Sequence, residues 1–167
     1  MQGLELSREF YRQCAAPAIA ERFGERASRI AAGLAGQGSD CLGYDDEISR
    51  DHDFGPGCCL WLTDGDFAEF GSELQKLYDA LPGEFMGFSR NTTPQAAGRV
   101  GVIPISRFYA QFTGCPDVPP NEASWFRIPE HFLNAATSGE VFIDDLGEFT
   151  RIRKALLPCY PRDVLLK

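Results

Sequence analysis

The sequence lacks the segments that mark membrane and exported proteins. It contains no run of eighteen apolar residues, about the minimum for a transmembrane helix. Its N-terminal stretch, MQGLELSRE, has no apolar core of a signal peptide. We therefore expect a cytoplasmic protein with no membrane partner, in which the six cysteines are reduced thiols rather than a disulfide set.

Ligands for a structural zinc ion are also scarce. There is no C-x-x-C pair, Cys58 and Cys59 are adjacent, and the only histidines are His52 and His131. Structural zinc sites need cysteine and histidine ligands at characteristic wider spacings. The spacing therefore argues against structural zinc.

Positive charge is in short supply, with 16 Lys and Arg against 24 Asp and Glu and a net charge of −8. This balance argues against a nucleic-acid partner held by a broad basic surface. It leaves room for a small anionic ligand, because a metal ion can neutralise phosphates locally. The length of 167 residues and the hydrophobic content of 44% predict one packed domain over residues 1–167.

The apolar pattern predicts a mixture of helices and strands. Long helices are expected over residues 7–23, with Ser7 as the N-cap, and over residues 64–81, with Asp64 as the cap. Shorter helices are expected at 106–114, 129–137 and 149–157. Strands are expected at the end of 27–35, within 51–63 around a kink at 55–57, at 100–105 and at 141–144. Loops are expected at 88–99 and 116–122. Both tryptophans, Trp61 and Trp125, are expected as core or interface anchors rather than as base-stacking platforms. This order is mixed α/β, without the regular alternation of a doubly wound parallel sheet.

Two short motifs point to a nucleotide site. Gly38-Ser39 is a small turn whose backbone N–H groups and hydroxyl suit phosphate oxygens. Asp51 and Asp53 are separated by one residue, so on a strand both carboxylates share one face, about 7 Å apart at Cα. Such a pair can bind the Mg²⁺ that accompanies a triphosphate. The alternative is a solvated acidic turn, since residues 40–53 hold six acidic residues and one basic residue, Arg50.

A third carboxylate completes such a site. Asp144 is the best candidate, because it ends an apolar strand, where a charge needs a partner or an exposed edge. Asp145 is its rival, and Glu148 is a more distant one. In the alternative interpretation, Asp144 and Asp145 terminate the strand and cap the next helix.

Several cations lie near these motifs in the sequence. Arg50 stands beside the first aspartate, and its forked donors suit phosphate oxygens. Arg151, Arg153 and Lys154 follow the third carboxylate, and for at least two of them a solvated helix face is the favoured interpretation.

These motifs resemble a known signature. Gly38-Ser39-x-x-x-Gly43 followed by Ser49-x-Asp51-x-Asp53 resembles the signature of the DNA polymerase beta-like nucleotidyltransferase superfamily. Residues 42–57, LGYDDEISRDHDFGPG, are similar to a bacterial family of uncharacterised proteins assigned to that superfamily. The motifs V-F-x-D-x-x-G-x-F-T at 141–150 and Y-P-x-D-V at 160–164 also look like that family.

The resemblance implies an α+β fold, a small mixed sheet flanked by helices. It implies that Gly38 and Ser39 contact the triphosphate, that Asp51 and Asp53 bind Mg²⁺, and that Asp144 is the third carboxylate. Members of the family usually continue into a helical C-terminal half, so a truncated or short version of the family is expected here. The segment 43–49 is longer than in the simplest antibiotic-modifying relatives, so their substrates are not carried over.

The sequence thus predicts a metal-dependent enzyme that moves an NMP group from an NTP to an unknown hydroxyl acceptor. A non-catalytic nucleotide-binding or regulatory module that keeps the fold is the alternative. A purely structural protein would require the aspartate pair to be exposed and free of metal.

Overall fold

The structure is a computed structural model, and it describes residues 3–36, 55–90 and 99–158. A four-stranded mixed sheet and a two-stranded hairpin are flanked by helices, so the expected α+β class is confirmed. The helices are α1 Gly3–Phe10, α2 Ala16–Phe23, α3 Asp64–Asp79, α4 Ile105–Thr113, α5 Glu122–Phe126, α6 Glu130–Thr137 and α7 Glu148–Leu156. The strands are β1 Ala31–Leu34, β2 Cys59–Leu62, β3 Glu84–Phe85, β4 Phe88–Ser89, β5 Gly101–Pro104 and β6 Glu140–Ile143.

The main sheet has the strand order β5-β2-β1-β6. β1 runs antiparallel to β2 and to β6, while β2 and β5 are parallel. The register pairs Gly33 with Cys59, Leu34 with Glu140, and Cys59 with Gly101. The end of β1 therefore meets the starts of β2, β5 and β6. We call this side of the sheet, formed by Leu34, Cys59, Gly101 and Glu140, the exit edge.

Each face of the sheet carries its own hydrophobic core. On one face α1, α2 and α3 pack against residues such as Leu60 and Leu62. On the other face α4 to α7 pack around Trp61, whose ring stacks on Phe149 with centroids 3.7 Å apart. Trp61 and Trp125 are both buried in this core, so of the two predicted places, core or interface, the structure shows the core. Because each residue along a strand alternates between faces, β2 needs apolar residues throughout.

The N-terminal helical region starts earlier than the sequence suggested. The helix begins at Gly3, so Ser7 lies inside it and is buried rather than acting as the N-cap. A π-helical turn over Tyr11–Ala15 joins α1 to α2. Pro17 explains this turn, because proline has no N–H and its ring clashes with the carbonyl four residues earlier.

Two further expectations need correction. The cap of α3 is Thr63, whose Oγ1 accepts from the Asp66 N–H at 3.3 Å, and not Asp64. The region predicted as a loop from residue 88 begins with β4, which pairs with β3 in a tight hairpin. The other elements between residues 99 and 158 lie close to their predicted bounds, apart from the short α5.

Two further features concern membrane-spanning helices and disulfides. No helix in the described ranges is long and apolar enough to cross a membrane. No disulfide joins the four cysteines in these ranges, which are Cys14, Cys58, Cys59 and Cys115.

Candidate functional site

Most of the predicted site falls in one stretch of chain. Gly38, Ser39, Arg50, Asp51 and Asp53 all lie outside the described residues, and so does His52. The chain on both sides of that stretch is described, and it lies at the exit edge. Gly36 follows the end of β1, and residues 55–58 lead into β2. We call residues 37–54 the motif-bearing stretch. The antiparallel pairing of β1 and β2 brings the described chain on both sides of this stretch to the same side of the sheet.

The end of β1 is held by the turn that precedes β6. The Ser138 hydroxyl is 2.8 Å from the Gly36 carbonyl oxygen and 3.0 Å from that of Ala135, so its proton is placed between two acceptors. Gly139 packs directly on β1, and an ideal Cβ on Gly139 would stand 1.9 Å from the Leu34 carbonyl oxygen. Its φ of +80° also favours glycine. This turn therefore fixes the point at which the chain leaves β1.

An arginine supports the same turn from α7. Nη2 of Arg153 donates to the Gly139 carbonyl oxygen at 3.1 Å. Nη1 of Arg153 is buried and has no hydrogen-bond partner among the residues that the structure describes. The sequence favoured a solvated helix face for at least two of Arg151, Arg153 and Lys154. Arg151 and Lys154 are exposed, in agreement with that prediction, whereas Arg153 contacts the turn before β6.

The start of β2 is held by residues of α1 and α3, on the face of the sheet against which those helices pack. Ser7 donates to the Gly57 carbonyl oxygen at 2.5 Å, and the Cys58 N–H donates to the Tyr78 hydroxyl at 3.2 Å. Burial raises the pKa of Tyr78, so the phenol stays neutral at physiological pH. The Arg90 guanidinium lies 4.6 Å from the centre of the Tyr78 ring and packs against it.

Charged groups at the exit edge were missed by the sequence analysis. Glu140 opens β6 beside Leu34, and its carboxylate forms an ion pair with Arg8 of α1. Arg99 lines a small cavity of about 50 Å³ together with Gly36 and Phe112. Arg8 and Glu140 are 132 residues apart. No local sequence signal predicts a pair formed only by tertiary packing.

Asp144 lies away from the exit edge. It follows Ile143, which pairs with Ala32. Along the strands this position is about 13 Å from Gly36. Its two oxygens accept the N–H groups of Gly147 at 3.0 Å and Thr150 at 2.8 Å. Asp144 thus makes the bonds expected of a helix-capping residue. A carboxylate keeps further lone pairs for a metal ion, so its predicted metal role stays a prediction.

Three other charged residues form a small network of ion pairs on and near α7. Arg151 contacts Asp117 through two hydrogen bonds and also reaches Glu148. These three side chains are about half exposed, as expected of a solvated helix face. They line a cleft of about 300 Å³ whose wall also holds Asp64 and Ser106. Within the described ranges, no group of three or more His, Cys, Asp or Glu side chains could hold a metal ion.

The C-terminal quarter of the chain matches a protein family. Residues 125–167 match a family model described as "Domain of unknown function (DUF4037)". The match includes the turn at Ser138 and Gly139, strand β6, Asp144 and Arg153, whereas the motif at residues 38–53 lies outside it. No curated protein and no solved structure matches this chain.

Proposed function

We propose that this protein is a Mg²⁺-dependent nucleotidyltransferase that moves an NMP group from an NTP to a hydroxyl acceptor. The observation that carries the proposal is the pairing of β1 with β2. It brings Gly36, two residues before Gly38-Ser39, and Gly55, two residues after Asp53, to one edge of the sheet. A phosphate-binding turn and a metal-binding pair must lie side by side to act on one Mg-NTP, and this topology is compatible with that requirement.

Each predicted residue has a defined task in this reaction. Gly38 and Ser39 bind the β- and γ-phosphates through backbone N–H groups and the hydroxyl, and Arg50 contributes charge-assisted hydrogen bonds. Asp51 and Asp53 offer hard oxygen donors, the chemistry that Mg²⁺ prefers. When bound, Mg²⁺ supplies charge neutralisation on the phosphates.

The chemical step is a substitution at the α-phosphorus. The acceptor oxygen forms a bond to that phosphorus, the bond to the bridging oxygen breaks, and pyrophosphate leaves with the electron pair. Asp144 takes the proton of the acceptor hydroxyl in this scheme. Positioning and electrostatic stabilisation supply most of the rate acceleration.

A non-catalytic nucleotide-binding module is the second candidate, and one observation favours it. Both oxygens of Asp144 already accept backbone N–H groups at the start of α7. These bonds direct both oxygens toward the start of α7, which is the arrangement of a helix-capping residue. The fold and the metal pair could then bind an NTP without turnover.

Calorimetric titration with Mg²⁺ and a non-hydrolysable NTP tests nucleotide binding. Asp53→Asn removes one charge at nearly constant shape, so we expect the affinity for Mg-NTP to fall at least about tenfold. Asp117→Asn is the matched control, since Asp117 lies in the cleft with Arg151, and we expect its affinity to match the parent. Equal affinity in Asp53→Asn and the parent would rule out a metal role for Asp53.

Pyrophosphate release across a panel of hydroxyl acceptors separates the two candidates. Asn at position 144 keeps one oxygen acceptor for helix capping but cannot take a proton. We expect Asp144→Asn to bind Mg-NTP and to lose turnover. A parent that binds Mg-NTP without releasing pyrophosphate with any acceptor would favour the non-catalytic module.

A further inference from the structure

Three side-chain hydroxyl groups hold the backbone on either side of the motif-bearing stretch. Ser138 reaches Gly36 across 102 residues of sequence, and Ser7 reaches Gly57 across 50. Tyr78 accepts from the Cys58 N–H across 20 residues. The three hydroxyls come from the turn before β6, from α1 and from α3, so they approach the exit edge from three separate elements.

These contacts occur where the strand ladder has ended. The last pair between β1 and β2 is Gly33 with Cys59. The carbonyls of Gly36 and Gly57 lie beyond this pair and accept from hydroxyls instead. The Cys58 carbonyl oxygen still accepts from the Gly101 N–H of β5 at 2.9 Å. The buried carbonyl oxygens of Gly36 and Gly57 take side-chain hydroxyls as their partners, because buried backbone groups need partners.

Burial makes these contacts selective for one geometry. Ser7 is 1% exposed and Tyr78 is 4% exposed, so water does not replace either hydroxyl. An unsatisfied buried backbone group costs more than a formed bond contributes, which opposes any displacement of the strand ends. Gly139 allows the Ser138 turn to approach β1, and Arg153 bonds the Gly139 carbonyl oxygen.

We propose that Ser7, Tyr78 and Ser138 are positioning residues for nucleotide binding. They fix the backbone at Gly36 and at residues 57–58, which are described positions on either side of the phosphate-binding and metal-binding residues of the motif. Neutral hydroxyls do this without adding charge beside the phosphates. The inference rests on the proposed function, because the benefit of a fixed distance arises when one Mg-NTP must contact both halves.

Single-hydroxyl deletions in the full-length chain test the proposal. The variants are Ser7→Ala, Tyr78→Phe and Ser138→Ala. Tyr109→Phe is the matched control, because Tyr109 is also buried and donates to a backbone carbonyl oxygen, that of Phe149, at 2.9 Å. Its hydroxyl lies at the start of α7 rather than at the exit edge.

The first readout needs no ligand. We expect amide hydrogen exchange in peptides covering 31–36 and 55–60 to accelerate at least about tenfold in the three variants, relative to global stability. The control should show no such local acceleration. Unchanged local exchange in all three variants overturns the inference, whatever the protein binds.

The second readout is binding of Mg²⁺ with each of the four ribonucleoside triphosphates. We expect about tenfold weaker binding in each variant and parental affinity in Tyr109→Phe, even where both lose similar stability. If the parent binds and the variants bind equally well, the inference is overturned and the proposed function stands. If the parent binds none of the four, the proposed function is overturned, and the positioning role for nucleotide falls with it.

Discussion

The backbone of Gly139 packs against the carbonyl of Leu34 so closely that a Cβ atom would stand 1.9 Å from that oxygen. Gly139→Ala must therefore move the turn before β6 away from β1. We expect the free energy of unfolding to fall by more than about 3 kcal/mol, from the clash together with the positive φ. Urea denaturation measures this loss.

Gly147→Ala is the control for that prediction. Gly147 has a similar φ of +78°, but a Cβ there would meet nothing within 4 Å. We expect only the backbone cost, about 1–2 kcal/mol. Equal losses in the two variants would show that the Leu34 contact is not the cause.

Phe149 should be one of the most sensitive core positions. Its ring is fully buried and stacks on Trp61 between α7 and the sheet. Phe149→Ala leaves a cavity there, and we expect a loss of about 3–5 kcal/mol in thermal or urea unfolding. Phe126→Ala removes the same side chain from a position that is 59% exposed. A loss above about 1 kcal/mol in that variant would contradict the assigned exposure.

The Asp66 carboxylate is almost fully buried and depends on Arg29. Nε of Arg29 lies 3.0 and 2.9 Å from its two oxygens, and Asp66 is 2% exposed. Arg29→Met leaves the buried carboxylate without its cation, and we expect the free energy of unfolding in urea to fall, although solvent around the half-exposed Arg29 limits the loss.

The double variant Arg29→Met/Asp66→Asn checks that explanation. Removing the stranded charge should recover part of the stability lost in Arg29→Met. If the losses of the two single variants simply add in a double-mutant cycle, the interaction energy between Arg29 and Asp66 is zero and the explanation is wrong.

Alkaline pH should destabilise the protein through Tyr109. Burial raises its pKa above the ordinary value of 10.0, so the folded state favours the neutral phenol. The resulting stability is complete below pH 10 and is lost as the pH rises from there toward the folded pKa. Each such group contributes a slope of about 1.4 kcal/mol per pH unit in that window.

Tyr109→Phe isolates this contribution. At pH 7 the variant should lose only the hydrogen bond to Phe149, about 1 kcal/mol. Between pH 10 and 11.5 its stability should fall less steeply than that of the parent. Parallel pH profiles in urea denaturation would contradict the assigned burial of the phenol.

The sequence predicts the helices and strands more completely than it predicts the contacts around the candidate site. The apolar pattern predicts the bounds of β5, β6 and α7 closely. Each of these elements packs one face against a core, so its buried positions are apolar and recur at a regular spacing. The β3–β4 hairpin was missed, because strands of two residues are too short to show a period. Its turn contains Met86 at a φ of +52°, a conformation that methionine does not predict.

Contacts around the candidate site depend on residues distant in sequence. Ser7 was predicted as a helix cap from its local context, yet its hydroxyl bonds Gly57. A serine just before an apolar helical pattern is commonly an N-cap. Only the start of α1 at Gly3 shows that Ser7 is an interior residue of the helix and not its cap. The metal roles of Asp51, Asp53 and Asp144 stay predictions, supported by their spacing and by the resemblance.

The π-helical turn at Tyr11–Ala15 sets the rotational phase of the N-terminal helical region. Ser7, Ala15, Ile19 and Phe23 are all buried, at intervals of four or eight residues. In a regular α-helix each step of four overshoots a full turn by about 40°, so the far end would rotate away from the sheet. The wider turn takes up this drift. Deleting a single residue there would change the rotation of α2 relative to α1, so Ser7 and Phe23 would no longer both face the sheet.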